Sequence, residues 1–128
     1  MVRDLLIDTS VWIDFFNGSE TVQVKILCEY LENDDPLFVC PTIVQEVLQG
    51  IKNDQEYQLV KDCLFALHVL NDDAIEVAMG AVEIYRTMRM KGITIRKSND
   101  CLIAYYARKY SLEILHHDRD FDKIEENY

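Results

Sequence analysis

Four acidic side chains stand where an alternating α/β chain would bring them together. Asp8 ends one apolar run, Asp118 follows another, and Glu46 and Asp100 lie in first turns of predicted helices. Carboxylates gathered in one place repel one another and need a cation to offset their charge. Since no Cys/His set stands at ligand spacing, these hard oxygen ligands predict a Mg²⁺ or Mn²⁺ site.

Each carboxylate also has a purely structural explanation. In a first helical turn Asp100 would favour the helix dipole, and Asp118 or Asp8 could cap a helix. Glu46 could lie on a solvated helix flank. Asp8 is the hardest to explain in this way, because a buried strand end is unfavourable for an uncompensated charge. The metal-site prediction therefore depends on all four residues together.

The segment after the last apolar run leaves one choice open. Three acids follow two residues apart, namely Asp118, Asp120 and Asp122. Asp118 is nearest the predicted strand end and is the preferred fourth ligand, whereas Asp122 is expected to assist from outside the coordination sphere. His116 and His117 precede them, but a histidine pair without further ligands indicates zinc only weakly. Structural or surface roles are favoured for both histidines.

The charge of the chain restricts how an anionic substrate could bind. With 13 basic and 23 acidic residues the formal net charge is −10, whereas nucleic-acid binders are usually basic. An acidic exterior suits a basic partner protein, and RNA would need a local basic patch. Residues 84–99 contain basic but no acidic side chains. In that segment Arg96 and Lys97 precede Asp100, and we expect them to hold a phosphate backbone.

Short apolar runs alternate along the chain with longer amphipathic segments. Strands are predicted over 3–8, 37–40, 68–70 and 112–115. Helices are predicted over 10–16, 22–31, from 42 onwards, and over 54–67, 72–90, 98–110 and 119–126. Ser10 is expected to cap the first helix, and Thr42 with Gln45 to form a capping box. The alternation predicts an α/β protein with a mainly parallel sheet covered on both faces, whose ligands bind beyond the strands' carboxyl ends.

Length and composition predict one domain over residues 1–128 in a reducing cytoplasm. The length suits a domain that buries its own core. The cysteines are Cys28, Cys40, Cys63 and Cys101; they lie in apolar stretches without CxxC spacing, as expected of small buried side chains. No signal peptide opens the chain and no apolar run is long enough to span a bilayer.

The chain resembles PIN-domain ribonucleases, and more narrowly VapC-type toxins of toxin–antitoxin pairs. The resemblance runs nearly end to end and depends on residues 6–12, 45–47, 99–104 and 118–121. It implies a PIN-like three-layer α/β/α sandwich and a homodimer. It also implies a cognate antitoxin that covers the groove and often inserts an arginine among the acids.

The resemblance places the family's acidic residues at Asp8, Glu46, Asp100 and Asp118. The family's hydroxyl after the first aspartate matches Ser10, with Thr9 as the alternative. These acids would hold one or two Mg²⁺ or Mn²⁺ ions, and metal-activated water would hydrolyse RNA phosphodiester bonds. Ser10 would orient that water.

Three other functions fit some of the same residues. A Mg²⁺-binding receiver module would need an acidic pair after the first strand and a Lys-Pro near the last, and neither is present. A metal-dependent phosphatase would use the same ions. A PIN-type scaffold that only binds a partner would not need the complete set of acids.

Overall fold

Four short parallel strands form the sheet of the computed structural model, which describes residues 2–128. The strands are β1 (Leu5–Ile7), β2 (Leu37–Val39), β3 (His68–Val69) and β4 (Glu113–Leu115). Their order is β3-β2-β1-β4, with β1 fully buried between β2 and β4. Leu5 lies opposite both Leu37 and Glu113, so the residues that follow β1 and β4 emerge at the same edge.

Helices cover both faces of this sheet, which confirms the predicted three-layer α/β/α architecture. Within residues 2–128 the helices are α1 (Thr9–Phe16), α2 (Val22–Glu32), α3 (Pro41–Gln49), α4 (Asp54–Phe65), α5 (Ala74–Met90), α6 (Ser98–Tyr110) and α7 (Arg119–Asn127). The larger apolar cluster joins the sheet to helices through Leu6, Trp12 and Ile103. A smaller cluster joins α5, α6 and α7 through residues such as Ile84 and Ile124.

Close packing of α5 against α6 fixes the helix that carries Asp100. A Cβ atom at Gly80 would lie 2.0 Å from Cδ1 of Tyr105, so the tyrosine ring occupies space that any larger residue would fill. The first turn of α6 is then held beside the carboxyl ends of β1 and β4. No helix among the described residues combines the length and apolar character required to cross a membrane.

Two of the predicted helix starts are wrong. The first helix begins at Thr9, and its N-cap is Asp8 rather than Ser10. The third begins at Pro41 with Cys40 at the cap and no side-chain hydrogen bond, so the capping box predicted from Thr42 does not form. Proline suits the first helical position because its φ is already helical and the missing N–H would have no partner there. Most of the other predicted elements agree with the structure to within one or two residues.

Candidate metal centre

Asp8 lies at the junction of β1 and α1, where it is 6% exposed. Its Oδ2 accepts hydrogen bonds from the amide of Ser10 at 3.2 Å and from the Ser10 hydroxyl at 2.5 Å. Its own amide donates to the carbonyl of Leu115, which ties the ends of β1 and β4 together. The partial positive charge of the helix N-terminus stabilises the carboxylate there. The Ser10 contacts and the helix N-terminus therefore compensate part of the cost of burying Asp8.

Three further carboxylates form a compact group beside it. Asp100, in the first turn of α6, Asp118, the N-cap of α7, and Asp120, in its first turn, each offer an oxygen within 4.8 Å of the others. Asp100 is 5% exposed, Asp120 is fully buried, and Asp118 is half-buried. We call these three residues the acidic cluster. Asp8 and Glu46 lie outside that mutual distance.

Asp100 is the least compensated member of the acidic cluster. Burial, followed by the charges of Asp8 and Asp118, raises the pKa of its carboxyl group to about 7, although the charge of Lys97 lowers it. Its Oδ2 is buried without a hydrogen-bond partner, as is Oδ1 of Asp120. Nζ of Lys123 lies 3.8 Å from that oxygen of Asp120. The unpaired oxygen of Asp100, beside other carboxylates, is the kind of group that a hard divalent cation satisfies. The donor set therefore fits Mg²⁺ or Mn²⁺.

Asp118 has the opposite surroundings. Burial raises the pKa of its carboxyl group, but the amide of Asp120 and the positive charges of Arg96 and Lys97 outweigh burial and hold the pKa below its usual range. Oδ1 accepts from that amide at 2.9 Å and from Nη2 of Arg96 at 3.1 Å, while Nζ of Lys97 lies 3.9 Å from Oδ2. The two basic residues predicted to flank the acids do so, and both contact Asp118.

Asp120 and Asp122 have different positions, which resolves part of the choice left open by the sequence. Oδ2 of Asp120 accepts from the amide of Arg96 at 3.0 Å and from its Nε at 3.3 Å. The carboxylate of Asp122 instead lies on the surface, 61% exposed and 3.4 Å from Nε2 of His116. Asp122 therefore stands apart from the acidic cluster, and its carboxylate faces His116 instead. The expectation that it assists from outside the coordination sphere stays a prediction.

The sequence contained a signal for Asp120 that our interpretation missed. On α7, Asp120 lies one helical turn before Ile124, and both are buried. An acidic residue on the apolar face of an amphipathic helix is unusual, because its charge must be compensated inside the fold. Its position on the buried face of α7 therefore predicts that Asp120 belongs to the acidic cluster, which its distance from the strand end does not.

Glu46 is linked to the site through its neighbours rather than by direct membership. Its Oε1 accepts from the hydroxyl of Thr9 at 2.8 Å, and its Oε2 from the amide of Asn99 at 3.3 Å. Thr9 follows Asp8 and Asn99 precedes Asp100, so α3 is tied to both acid-bearing helices. Each oxygen uses one of its two lone pairs in this way and keeps one for another partner.

A cavity of about 400 Å³ opens between the acids and the basic residues. It is lined by Asp8, Ser10, Arg96, Lys97, His117, Asp118 and Arg119. Its lining combines carboxylates that can bind a cation with basic side chains that can bind a phosphate. Among the described residues no histidine or cysteine belongs to a group of three or more potential metal ligands, so the donor set has no zinc character.

Comparisons with known proteins agree with this geometry. The PIN domain family model matches residues 5–127. The VapC ribonuclease Mb1587 of Mycobacterium bovis is 36% identical over 122 residues, which cover 94% of this chain and 90% of that protein. Ribonuclease VapC11 of Mycobacterium tuberculosis matches with the same identity and coverage.

Solved structures with the same fold include toxin–antitoxin complexes. One from Klebsiella pneumoniae has a TM-score of 0.71 and 22% identity, and the match covers 92% of this chain and 90% of that one. VapBC2 from Rickettsia felis, bound to a DNA fragment from its promoter, has a TM-score of 0.73 and 18% identity, and the match covers 94% and 92%. At these identities the structures establish the fold.

Proposed function

The chain belongs to the PIN-domain family, and from that premise we propose that it is a metal-dependent endoribonuclease, the toxin of a toxin–antitoxin pair. The observation that carries the proposal is the acidic cluster, in which Asp100 keeps an unpaired buried oxygen beside other carboxylates. Burying an uncompensated acid is unfavourable, so the arrangement needs a bound positive charge to offset it. A nuclease needs this arrangement to hold its cation.

Asp8, Asp100 and Asp118 would hold one or two Mg²⁺ or Mn²⁺ ions, and Glu46 would contribute the lone pairs that Thr9 and Asn99 leave free. A divalent cation at this site supplies Lewis acidity, which lowers the pKa of water and offsets charge on phosphate oxygens. Asp120 is better suited to a supporting role, because Arg96 uses its Oδ2 and Nζ of Lys123 lies 3.8 Å from its Oδ1.

Two hydroxyl groups follow Asp8, and their contacts favour Ser10 for the role of orienting water. The Thr9 hydroxyl donates a hydrogen bond to Glu46. The Ser10 hydroxyl donates to Asp8, and Ser10 lines the cavity. With its proton directed at Asp8, the Ser10 oxygen can accept a hydrogen bond from a water molecule in the cavity. Ser10 would therefore position the attacking water.

Arg96 and Lys97 are the residues that we expect to bind RNA. Their side chains are 68% and 67% exposed and line the cavity beside Asp118. A guanidinium and an ammonium group placed there can hold the phosphates that flank the scissile bond. This local patch would offset the unfavourable net charge of −10 near the site.

An exposed apolar stripe on α5 supports the expected homodimer. Ile75, Met79 and Val82 are 72%, 63% and 48% exposed and recur at helical spacing on one side of α5. A second copy of the chain would cover this stripe. Sedimentation equilibrium of the purified chain tests the dimer, and a monomer at micromolar concentration would contradict it.

A cognate antitoxin is the second expected partner. The chain is strongly acidic, and Asp100 has no hydrogen-bonded cation beside it. A basic side chain inserted into the cavity would satisfy the acidic cluster and exclude both metal and RNA.

Cleavage of defined RNAs by the antitoxin-free chain tests the proposal. The wild type should cleave with Mg²⁺ or Mn²⁺ and not with EDTA. Asp8→Asn, which keeps the shape and removes a charge, should lower the rate at least about 100-fold and weaken Mn²⁺ binding while the protein stays folded. Asp62→Asn, an exposed change on α4, is the matched control and should cleave normally.

Two results would contradict the proposal. An active Asp8→Asn protein would exclude the assigned site. Hydrolysis of a phosphomonoester in place of RNA, with the same metal requirement, would identify a phosphatase instead.

A further inference from the structure

His116 lies between β4 and α7 and contacts Phe121, Gln23 and the backbone of Asp118. Its side chain is 10% exposed, and its ring packs against Phe121 with 5.0 Å between centroids. Its backbone carbonyl accepts a hydrogen bond from the side-chain amide of Gln23 at 3.3 Å, which anchors the segment to α2. The residue is therefore fixed by packing before its ring nitrogens are considered.

The hydrogen bonds of the ring determine which nitrogen carries the proton. The backbone amide of Asp118 lies 3.0 Å from Nδ1 and can only donate, so Nδ1 is the acceptor. The proton of the neutral ring is then on Nε2, which lies 3.4 Å from Oδ1 of Asp122. Asp122 favours this tautomer because its carboxylate can only accept.

The bond from the Asp118 amide to Nδ1 fixes a backbone that helical geometry does not fix. As the N-cap of α7, Asp118 has an extended conformation (φ −114, ψ 129), and its amide lies outside the helical hydrogen-bond ladder. The imidazole supplies the missing acceptor. The carboxylate of Asp118 meanwhile accepts a hydrogen bond from the backbone amide of Asp120 and contacts Arg96. The ring thus holds the peptide from which a proposed metal ligand projects.

The neighbouring histidine has a different environment. His117 is 44% exposed, and its Nε2 lies 3.1 Å from Oδ2 of Asp14 on α1. His116 contacts the backbone of an acid, whereas His117 forms a surface pair. The pair that the sequence offered as a weak zinc signal therefore consists of two residues with separate surroundings.

We propose that His116 is a positioning residue for Asp118: its Nδ1 fixes the backbone of the metal-binding aspartate, and Asp122 fixes the tautomer that makes Nδ1 an acceptor. The inference rests on the proposed function, since it assumes that Asp118 binds a cation. It also gives Asp122 a role without placing it at the metal.

The test compares three substitutions that differ in where they place an acceptor. His116→Asn puts a carbonyl oxygen close to the position of Nδ1, His116→Gln puts one nearer Nε2, and His116→Ala removes it. His68→Asn on β3, at the far edge of the sheet, is the matched control. Mn²⁺ affinity is measured by electron paramagnetic resonance, followed by kcat and KM on a cleaved RNA and by thermal unfolding.

We expect His116→Ala and His116→Gln to weaken Mn²⁺ binding about 10- to 100-fold and to lower kcat more than they raise KM. His116→Asn should stay within about threefold of the wild type, because the acceptor is retained. In the metal-free wild type, nitrogen-15 NMR of the ring should show the tautomer protonated on Nε2. If His116→Ala does not fold, the comparison of Asn with Gln still tests the proposal.

The positioning role is overturned if His116→Ala binds Mn²⁺ as tightly as the wild type, or if Asn is as impaired as Gln. Equal losses in Asn and Gln would indicate that only the bulk of the ring matters. A wild type that binds no Mn²⁺ and cleaves no RNA would instead overturn the proposed function, and the positioning role with it. The two failures are therefore distinguishable.

Discussion

Asp100 and Asp118 belong to one acidic cluster, yet their surroundings shift their pKa values in opposite directions. Asp100 is buried beside other carboxylates with an unpaired oxygen, and its pKa rises to about 7. Asp118 caps a helix and contacts Arg96, and its pKa falls below the usual range. One half of the site is compensated by the protein itself. The other half, around Asp100, has an unpaired oxygen that a bound cation would compensate.

The difference separates the roles that two similar side chains can have. An ionised Asp118 attracts a cation at any pH near neutrality, whereas Asp100, with a pKa of about 7, is partly protonated there and loses that proton as the cation binds. Metal affinity should therefore rise with pH around the pKa of Asp100. The three predictions that follow test this contrast, starting with the largest expected effect.

Removing the charge of Asp100 should abolish catalysis. Asp100→Asn keeps the shape of the side chain but cannot become an anionic ligand, so we expect RNA cleavage to fall at least about 100-fold. The metal-free variant should nevertheless fold well, because a neutral amide is no costlier there than a carboxylate that has no cation. Single-turnover cleavage and thermal unfolding in EDTA measure the two effects.

The control is again Asp62→Asn, in which an exposed aspartate far from the cluster loses the same charge. Cleavage by Asp100→Asn at the wild-type rate would mean that the buried, uncompensated acid has no part in the reaction. The proposed ligand set would then need to be built around Asp8 and Asp118.

The stability of the metal-free protein should depend on pH in a way that is specific to Asp100. Its pKa in the folded state is about 7, above the ordinary value of 3.8, so the folded protein binds the proton more tightly than the unfolded chain does. The stability that Asp100 contributes is thus fully present below about pH 3.8 and is lost as pH rises through about 7. Asp118, with its lowered pKa, has the opposite dependence and loses its contribution in acid.

Thermal unfolding in EDTA across this range, with wild type and Asp100→Asn compared at each pH, isolates the contribution of Asp100. The difference between the two proteins should change in favour of the variant as pH rises, and Mn²⁺ should remove the change by compensating the wild-type carboxylate. A difference that stays constant with pH would show that Asp100 is compensated in some other way.

The contrast between the two aspartates was only partly predictable from the sequence. Alternating apolar runs predicted the strands, and parallel strands must present Asp8 and Asp118 at one edge. Asp100 followed from its position in the first turn of a helix that the sequence delimits well. Local pattern therefore predicted the elements and three of the acids near the cavity.

The compensation of charge was not predictable, because it depends on contacts between distant segments. Arg96 meets Asp118 and Asp120 across 22 and 24 residues, and no periodicity encodes that approach. Its sequence position predicted a phosphate-binding role, whereas the structure shows it first as the partner of two acids. Glu46 illustrates the same limit, since its contacts with Thr9 and Asn99 also join segments that are far apart in the sequence.

Arg96→Gln should give the smallest effects, because the guanidinium is 68% exposed and exposed ion pairs contribute little. Without its charge Asp118 and Asp120 become more attractive to a cation, so Mn²⁺ should bind about two- to fivefold more tightly. RNA should bind more weakly, and the slope of log K against log salt should fall by about one. Calorimetry with Mn²⁺ and a salt series with RNA measure the two opposite changes.

Lys97→Gln is the matched comparison, because Lys97 lies 3.9 Å from Asp118, whereas Arg96 pairs with both Asp118 and Asp120. We expect the same loss of salt dependence with a smaller gain in Mn²⁺ affinity. If Arg96→Gln weakened Mn²⁺ binding instead, the arginine would be organising the acids rather than competing with a cation. Asp118 would then depend on Arg96 for its geometry as well as for its ionisation, and it would differ from Asp100 in how it is held more than in its charge.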